Sequence, residues 1–180
     1  MSNSSIVDAS VVHDPSLSLF QKVLLVTDGT VTQLVELYTG ETIRVQKIEN
    51  QIIGNDAAPE HVQNILQTSK DDSLLKRIIL LCGAEKSYLY AESWFVMQRL
   101  PADMRTKLET TNIPIGLLWR EAKLETHREI IEYRRERNAV VSAHLGVDEQ
   151  SELLSRTYLL YTNRQPMGVI TEKFPAGYFL

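Results

Sequence analysis

The sequence has a single cysteine, no long apolar run and no signal peptide. One cysteine excludes an internal disulfide bond, and the place of Cys82 in the apolar run 78–82 indicates a small buried side chain rather than a nucleophile. No apolar run approaches the roughly 18 residues of a membrane span. The N-terminus lacks both the basic segment and the apolar core of a secretion signal. We therefore expect a cytoplasmic protein.

An excess of positive charge is also missing. The 180 residues include 19 Lys and Arg against 23 Asp and Glu, which gives a net charge of −4. Binding to a nucleic-acid backbone requires a cationic surface, so we expect no nucleic-acid partner. The one basic cluster alternates with glutamates and is typical of a solvated face rather than a phosphate site. Its members are Arg128, Arg134, Arg135 and Arg137.

The sequence lacks the motifs of the common cofactor and catalytic sites. It contains no glycine-rich phosphate loop, no dinucleotide-binding fingerprint and no nucleophile elbow. The four histidines are far apart and show no metal-ligand spacing, although ligands distant in sequence stay an alternative. We therefore predict neither a metal site nor a cofactor.

The segments that are present predict an α+β fold in one domain, residues 15–180, after a flexible lead, residues 1–14. Helices are predicted at residues 15–26, from Thr27 or Asp28 to Gly40, at 60–66 and at 102–108. Strands are predicted at residues 42–48, 74–81, 88–96, 155–162 and 167–174. The apolar spacing of residues 126–138 fits a helix as well as a strand. Hairpins without long crossover helices imply antiparallel pairing.

The closing strand carries one carboxylate on an apolar face. Glu172 lies two residues after Ile170 and two before Phe174, and residues two apart in a strand face the same way. Burial on such a face would raise the pKa of a carboxyl group and favour its neutral form. Glu172 is therefore either part of a site or half of a buried ion pair, and Arg77 at the start of another apolar strand is its candidate counterpart.

Seven short motifs between Asp28 and Pro175 carry a resemblance to a known family that extends from about residue 20 to residue 179. In chain order they are Asp-Gly-x-Val-Thr from Asp28, Arg-x-x-Leu-Leu from Arg77, Tyr-Leu-x-Ala from Tyr88, Pro-Ile-Gly from Pro114, Thr-x-Arg-Glu-Ile from Thr126, Ser-Arg from Ser155, and Thr-Glu-x-Phe-Pro from Thr171. With these motifs the chain resembles the chorismate pyruvate-lyases (4-hydroxybenzoate synthases), in particular the cyanobacterial and archaeal branch.

The resemblance implies a fold and a site. The fold is a single antiparallel sheet of about six strands, with helices and helical flaps over a buried ligand, so residues 126–138 become a strand. An arginine and a glutamate matching Arg77 and Glu172 hold opposite ends of the aromatic product, and backbone groups matching Val31 and Ile115 also contact it. The resemblance implies no metal or organic cofactor.

One position departs from the family pattern. The better-studied bacterial branch has a second arginine where this chain has Glu92, and Arg99, seven residues later, does not align with it. The departure affects the family's ligand-exit route or second site rather than the primary site.

The expected activity is removal of pyruvate from chorismate to give 4-hydroxybenzoate, the first step toward a quinone head group. Arg77 suits a carboxylate because its planar guanidinium binds both oxygens. Glu172 could donate as a neutral acid or accept from the ring hydroxyl as an anion, and a concerted rearrangement without a side-chain base is a further option. Two alternatives are a non-catalytic binding module, like the effector domains of bacterial regulators, and a lyase that gives 3-hydroxybenzoate. We expect a monomer.

Overall fold

The sheet dominates the computed structural model of the chain, which describes residues 7–111, 118, 121 and 126–180. Six antiparallel strands form one sheet in the spatial order β1-β2-β3-β6-β5-β4. The strands are β1 (Arg44–Gly54), β2 (Ser73–Cys82), β3 (Ser87–Val96), β4 (His127–Glu136), β5 (Leu153–Thr162) and β6 (Gln165–Pro175). This architecture confirms the predicted α+β class and the single antiparallel sheet.

Helices pack on both faces of the sheet. Those formed by the described residues are α1 (Ser10–His13), α2 (Leu19–Val26), α3 (Val31–Thr39), α4 (Glu60–Leu66), α5 (Ala102–Thr110) and α6 (Ala139–Leu145). The prediction for α4 agrees with the structure, while α6 had no counterpart among the predicted helices. No helix within the described ranges is both long enough and apolar enough to cross a membrane. The Pro-Ile-Gly motif, residues 114–116, lies outside the described residues.

The first two predicted helices begin later in the structure than the sequence predicted. Helix α2 begins after Ser18, whose hydroxyl accepts the Gln21 N–H at 3.1 Å while the Gln21 side chain accepts the Ser18 N–H at 2.7 Å. This reciprocal capping fixes the start of the helix. Helix α3 begins after Thr30 rather than at residues 27–28, and it ends as predicted at Gly40, which takes the left-handed conformation with φ 71°.

Part of the predicted flexible lead is ordered against the domain. Residues Ser10–His13 form helix α1, and the side chains of Val11 and Val12 pack against the core. An ion pair between Asp14 and Arg135 joins this segment to β4. The domain boundary at residue 15 stays a prediction.

Residues 126–138 form a strand, as the family resemblance implied and against their good helix propensity. Strand β4 pairs with β5 along its whole length, with one bulge between Ile130 and Glu132. Tertiary pairing of this kind overrides local propensity, because ladder hydrogen bonds and side-chain packing both favour the strand. Strand β1 runs to Gly54, six residues beyond its predicted end, because it pairs with β2 throughout.

The closing hairpin sets the register of the site. Its turn contains Asn163 and Arg164, both with positive φ (48° and 64°), which is the two-residue turn that suits twisted strands. A bulge between Leu160 and Tyr161 then shifts the pairing. As a result Arg156 on β5 stands directly opposite Glu172 on β6.

Each face of the sheet carries two apolar clusters with a gap between them. We call the face that presents Arg77, Ala91, Ile170 and Glu172 the front face. On it, α2, α3 and the C-terminal segment cover one end, and α5 covers the other end. On the back face α4 and α6 cover opposite ends in the same way. The gap on the front face forms the pocket described next.

Candidate active site

A pocket opens on the front face between the two apolar clusters. The space between its lining atoms measures about 560 Å³, part of it continuous with solvent. Five strands, β2 to β6, and the start of α3 supply walls that are mostly apolar with a few polar groups. The lining residues are Gly29, Thr30, Val31, Thr32, Arg77, Ile79, Leu81, Leu89, Ala91, Ser93, Arg128, Tyr158, Ile170 and Glu172.

The sheet brings the two principal predicted residues, Arg77 and Glu172, to this one pocket. Arg77 on β2 pairs with Ser93 on β3, and Ser93 pairs with Ile170 on β6, two residues before Glu172. Strand β3 therefore separates them, and strand spacing puts their Cα atoms about 12 Å apart. They do not form the ion pair with each other that we considered as the alternative. They stand at separate positions around the pocket.

Glu172 is a buried carboxylate with two donors. Its side chain lines the pocket, and the residue is only 8% exposed between the buried Ile170 and Phe174, as the strand period predicted. Arg156 Nε donates to Oε2 at 2.7 Å, and the Tyr158 hydroxyl donates to Oε1 at 3.1 Å. Both are contacts that an ionised carboxylate accepts.

Arg156 connects this carboxylate to helix α2. The residue is 1% exposed, and its Nη1 donates to the carbonyl oxygens of Leu25 at 3.2 Å and Thr27 at 2.8 Å. These carbonyls lie at the C-terminal end of α2, where backbone acceptors lack helical partners and a cation is favourable. Burial is the strongest single influence and lowers the pKa of Arg156, but the charge and hydrogen bond of Glu172, together with Tyr158 and Tyr133, raise that pKa above its usual value. Arg156 therefore holds both Glu172 and the loop that leads to α3.

Tyr158 completes the surroundings of Glu172. The ring is buried in the pocket wall, and its hydroxyl points at the carboxylate. Burial, and after it the negative charge of Glu172, raises the pKa of Tyr158 far above its ordinary value. The hydroxyl therefore stays protonated and acts as a donor at any physiological pH.

Arg77 is the second buried charge of the pocket. It is 1% exposed, and Ser93 on the neighbouring strand donates its hydroxyl to the Arg77 carbonyl at 3.3 Å. Burial lowers the pKa of Arg77 to about 10. At neutral pH the guanidinium is still almost fully protonated, because the pH then lies about three units below this pKa. A carboxylate that enters the pocket would meet a permanent, poorly hydrated cation.

Val31 is the first residue of α3 and lies in the pocket wall. The Thr30 side chain makes no capping hydrogen bond, and the first N–H groups of a helix have no intrahelical acceptor. The first backbone N–H groups of α3, including that of Val31, can therefore donate to a ligand in the pocket, as the predicted backbone contact requires. Ile115, the other predicted backbone contact, lies outside the described residues.

Arg128 also lines the pocket, which corrects its assignment to a solvated face. Its Nη1 donates to the Gly29 carbonyl at 3.4 Å, and its guanidinium lies 5.2 Å from the centre of the Tyr158 ring. Two other members of that basic cluster fit the original interpretation. Arg134 forms an ion pair with Glu132, and Arg135 forms ion pairs with Asp14 and Glu152.

Neither residue discussed in connection with the missing second arginine reaches this pocket. Glu92 faces the back of the sheet, where its carboxylate accepts the Trp94 indole N–H at 2.9 Å. Arg99 forms an ion pair with Asp72 and donates to the backbone carbonyls of Leu66 and Gln67. The neighbours of Glu92 that line the pocket are Ala91 and Ser93.

Sequence reasoning therefore found Arg77, Glu172 and Val31 but gave no role to Arg156, Tyr158 and Arg128. Their segments were part of the resemblance, since Arg156 lies in the Ser-Arg motif and Arg128 in Thr-x-Arg-Glu-Ile. The signal that could have found Arg156 and Tyr158 is their shared strand face, two residues apart, in the strand that pairs with the one carrying Glu172.

Comparison with known proteins gives relatives by sequence. The family model described as "Chorismate pyruvate-lyase Rv2949c-like" matches residues 25–179. A protein named chorismate pyruvate-lyase from Mycobacterium leprae is 30% identical over 161 residues, which cover 88% of this chain and 75% of the relative. A protein of the same name from Mycobacterium tuberculosis (strain CDC 1551 / Oshkosh) is 26% identical over 163 residues, covering 88% and 80%.

Comparison with solved structures gives relatives by fold. The effector domain of PhnF from Mycobacterium smegmatis superimposes with a TM-score of 0.64 at 14% identity, covering 83% of this chain and 90% of that domain. The C-terminal domain of a histidine utilization repressor from Pseudomonas syringae superimposes with a TM-score of 0.60 at 12% identity, covering 77% and 94%. At these identities the likeness concerns the fold alone.

Proposed function

The chain belongs to the chorismate pyruvate-lyase Rv2949c-like family, and from this premise we propose that it converts chorismate to 4-hydroxybenzoate and pyruvate. The product would supply the head group of a quinone, in the cytoplasm. The observation that carries the proposal is the pocket that presents Arg77 and Glu172 from two strands with one strand between them. A flat ring with a carboxylate at one end and a hydroxyl at the other fits such a pair.

Arg77 binds the ring carboxylate in this proposal. Its guanidinium is buried in a largely apolar wall, where a charge-assisted pair with a carboxylate is stronger than in water. The ring itself packs against the apolar side chains of Ile79, Leu89 and Ile170. The backbone N–H groups at Val31, at the start of α3, contact the ligand, and the backbone contact expected at Ile115 stays a prediction.

Glu172 accepts a hydrogen bond from the ring hydroxyl. Its two carboxylate oxygens already accept hydrogen bonds from Arg156 Nε and from the Tyr158 hydroxyl, the contacts that an ionised carboxylate makes. An anion that already holds two donors is an acceptor for a third hydrogen bond rather than a proton donor. We therefore assign Glu172 the role of orienting the substrate.

The reaction balances without a cofactor. The ether bond between the ring and the enolpyruvyl group breaks, and the neighbouring ring carbon, which bears the hydroxyl, loses its hydrogen. That hydrogen moves to the terminal methylene of the departing group, which becomes the methyl group of pyruvate, and the ring gains its third double bond. Aromatisation drives the reaction, so the protein mainly holds the substrate in a reactive conformation.

Incubation of the purified protein with chorismate, followed by chromatography of the products, tests the proposal. We expect 4-hydroxybenzoate and pyruvate in equal amounts, at a rate well above the spontaneous decay of chorismate in a matched blank. Formation of 3-hydroxybenzoate would establish the altered lyase instead. Binding of hydroxybenzoate without turnover of chorismate would establish a binding module, whose fold the effector domain of PhnF shares.

A further inference from the structure

The pocket contains a second cation that the roles above leave unused. Arg128 reaches it from β4, with three strands between β4 and the strand of Arg77. Its side chain is half-buried, and its hydrogen bond to the Gly29 carbonyl and its contact with the Tyr158 ring hold it at the pocket wall. Among the described residues, Arg128 forms no ion pair.

Among the described lining residues, the charges of Arg128 and Glu172 are balanced to different degrees. Among the described lining residues the charged side chains are Arg77, Arg128 and Glu172. The charge of Glu172 is already balanced by Arg156, which contacts it at 2.7 Å from outside the lining. Glu172 is therefore not left to balance Arg128, and a second carboxylate on the ligand would supply that partner.

We propose that Arg128 determines specificity for a dicarboxylate by binding the carboxylate of the enolpyruvyl group. This inference rests on the proposed function and adds a recognition role to the same site. Chorismate carries one carboxylate on the ring and one on the enolpyruvyl group, whereas 4-hydroxybenzoate carries only the first. Arg77 then serves substrate and product alike, and Arg128 serves the substrate alone.

The arrangement of the contacts places the second anchor where the substrate needs it. The Tyr158 ring lies against Arg128, and its hydroxyl donates to Glu172 at 3.1 Å. In chorismate the hydroxyl and the ether oxygen occupy adjacent ring carbons. A substrate whose hydroxyl meets Glu172 therefore carries its enolpyruvyl group past Tyr158 toward Arg128.

The same arrangement favours release of the products. Once the ether bond breaks, the second carboxylate leaves with pyruvate, and Arg128 loses its partner. The aromatic product is then held by Arg77 and Glu172 without the contribution of Arg128. Chorismate should therefore bind the pocket more tightly than 4-hydroxybenzoate does, and it should displace the product readily.

Two ligands measured against Arg128→Gln test the inference. The stable aromatic diacid 3-(1-carboxyvinyloxy)benzoate keeps both carboxylates and cannot lose pyruvate by aromatisation, and 4-hydroxybenzoate keeps one. By calorimetric titration, Arg128→Gln should weaken the diacid about tenfold or more, the equivalent of one charge-assisted hydrogen bond, and change 4-hydroxybenzoate less than about threefold. Arg128→Lys should recover part of the lost affinity for the diacid.

Arg134→Gln is the matched control, because Arg134 lies on the same strand with a side chain 58% exposed to solvent. It should leave both affinities unchanged. Equal weakening of both ligands by Arg128→Gln, or of neither, would overturn the inference even if the wild type consumes chorismate. If Arg128→Gln weakens binding of the diacid alone, the inference holds even when the wild type does not turn over chorismate. Failure of the inference is therefore distinguishable from failure of the proposed function. No binding of either acid by the wild type would overturn both.

Discussion

Replacing Arg156 by methionine should strongly destabilise the fold, because the change leaves a buried carboxylate without its cation. The wild-type guanidinium contacts Glu172 at 2.7 Å and satisfies the carbonyls of Leu25 and Thr27. Breaking a buried pair from one side costs about 3–5 kcal/mol. Since Tyr158 still donates to Glu172, we expect a loss at the lower end, about 3 kcal/mol. For a chain of this length that loss lowers Tm by about 6–12 °C.

Urea denaturation of four variants measures this coupling. Arg156→Met and Glu172→Leu should each be destabilising, whereas the double variant should cost at least about 1 kcal/mol less than the sum, because neither charge is then buried alone. The exposed control Arg134→Met should change the free energy of unfolding by less than about 1 kcal/mol. A loss below about 1 kcal/mol for Arg156→Met, or additive effects in the double variant, would refute the ion pair as the support of Glu172.

Three further predictions concern catalysis and pH. Arg77→Met and Glu172→Gln should each remain folded by circular dichroism but lose at least about 100-fold in kcat/KM for chorismate, as expected for a lost charge-assisted contact; wild-type rates in either variant would remove that residue from the site. Tyr158→Phe removes one donor to Glu172 and should lower kcat/KM about tenfold, with a smaller effect if the hydroxyl only packs. Hydrogen bonds from the Ala84 N–H and then from the Tyr88 hydroxyl lower the pKa of Glu41 below its ordinary 4.5. A depressed carboxyl pKa means that the unfolded state binds more protons, so this stabilisation is full above about pH 4.5 and disappears as the pH falls through the folded-state pKa. The Tm difference between wild type and Glu41→Gln should therefore shrink in acid, and a difference independent of pH would contradict the assignment.

The closing hairpin shows how far the sequence alone leads. The period of two placed Glu172 on the same face as Ile170 and Phe174, and the structure agrees. The partner of Glu172 depends on register instead. Counted back from the two-residue turn without a bulge, Thr171 would stand opposite Arg156, and a shift of one residue reverses the face. The bulge beside Leu160 corrects this pairing, and its position follows from sheet packing rather than from a local sequence signal.

The site residues on other elements were predictable to different degrees. Arg77 stood out because it directly precedes the apolar run 78–82, and a buried charge needs a partner. Arg128 did not, since it alternates with glutamates and β4 is an edge strand whose outer residues are solvated. Arg128 lines the pocket because it contacts the Gly29 carbonyl and the Tyr158 ring, which belong to other elements of the fold. Contacts of this kind are long-range, and no periodicity within one segment encodes them.

A crystal structure of the chain with bound 4-hydroxybenzoate tests the central claim most directly, because the claim concerns where each end of the ligand binds. We predict that the ring lies in the front-face pocket, with its carboxylate on the Arg77 guanidinium and its hydroxyl within hydrogen-bonding distance of Glu172. A ligand bound in the reverse orientation, or seated on the back face beside Glu92, would contradict the account.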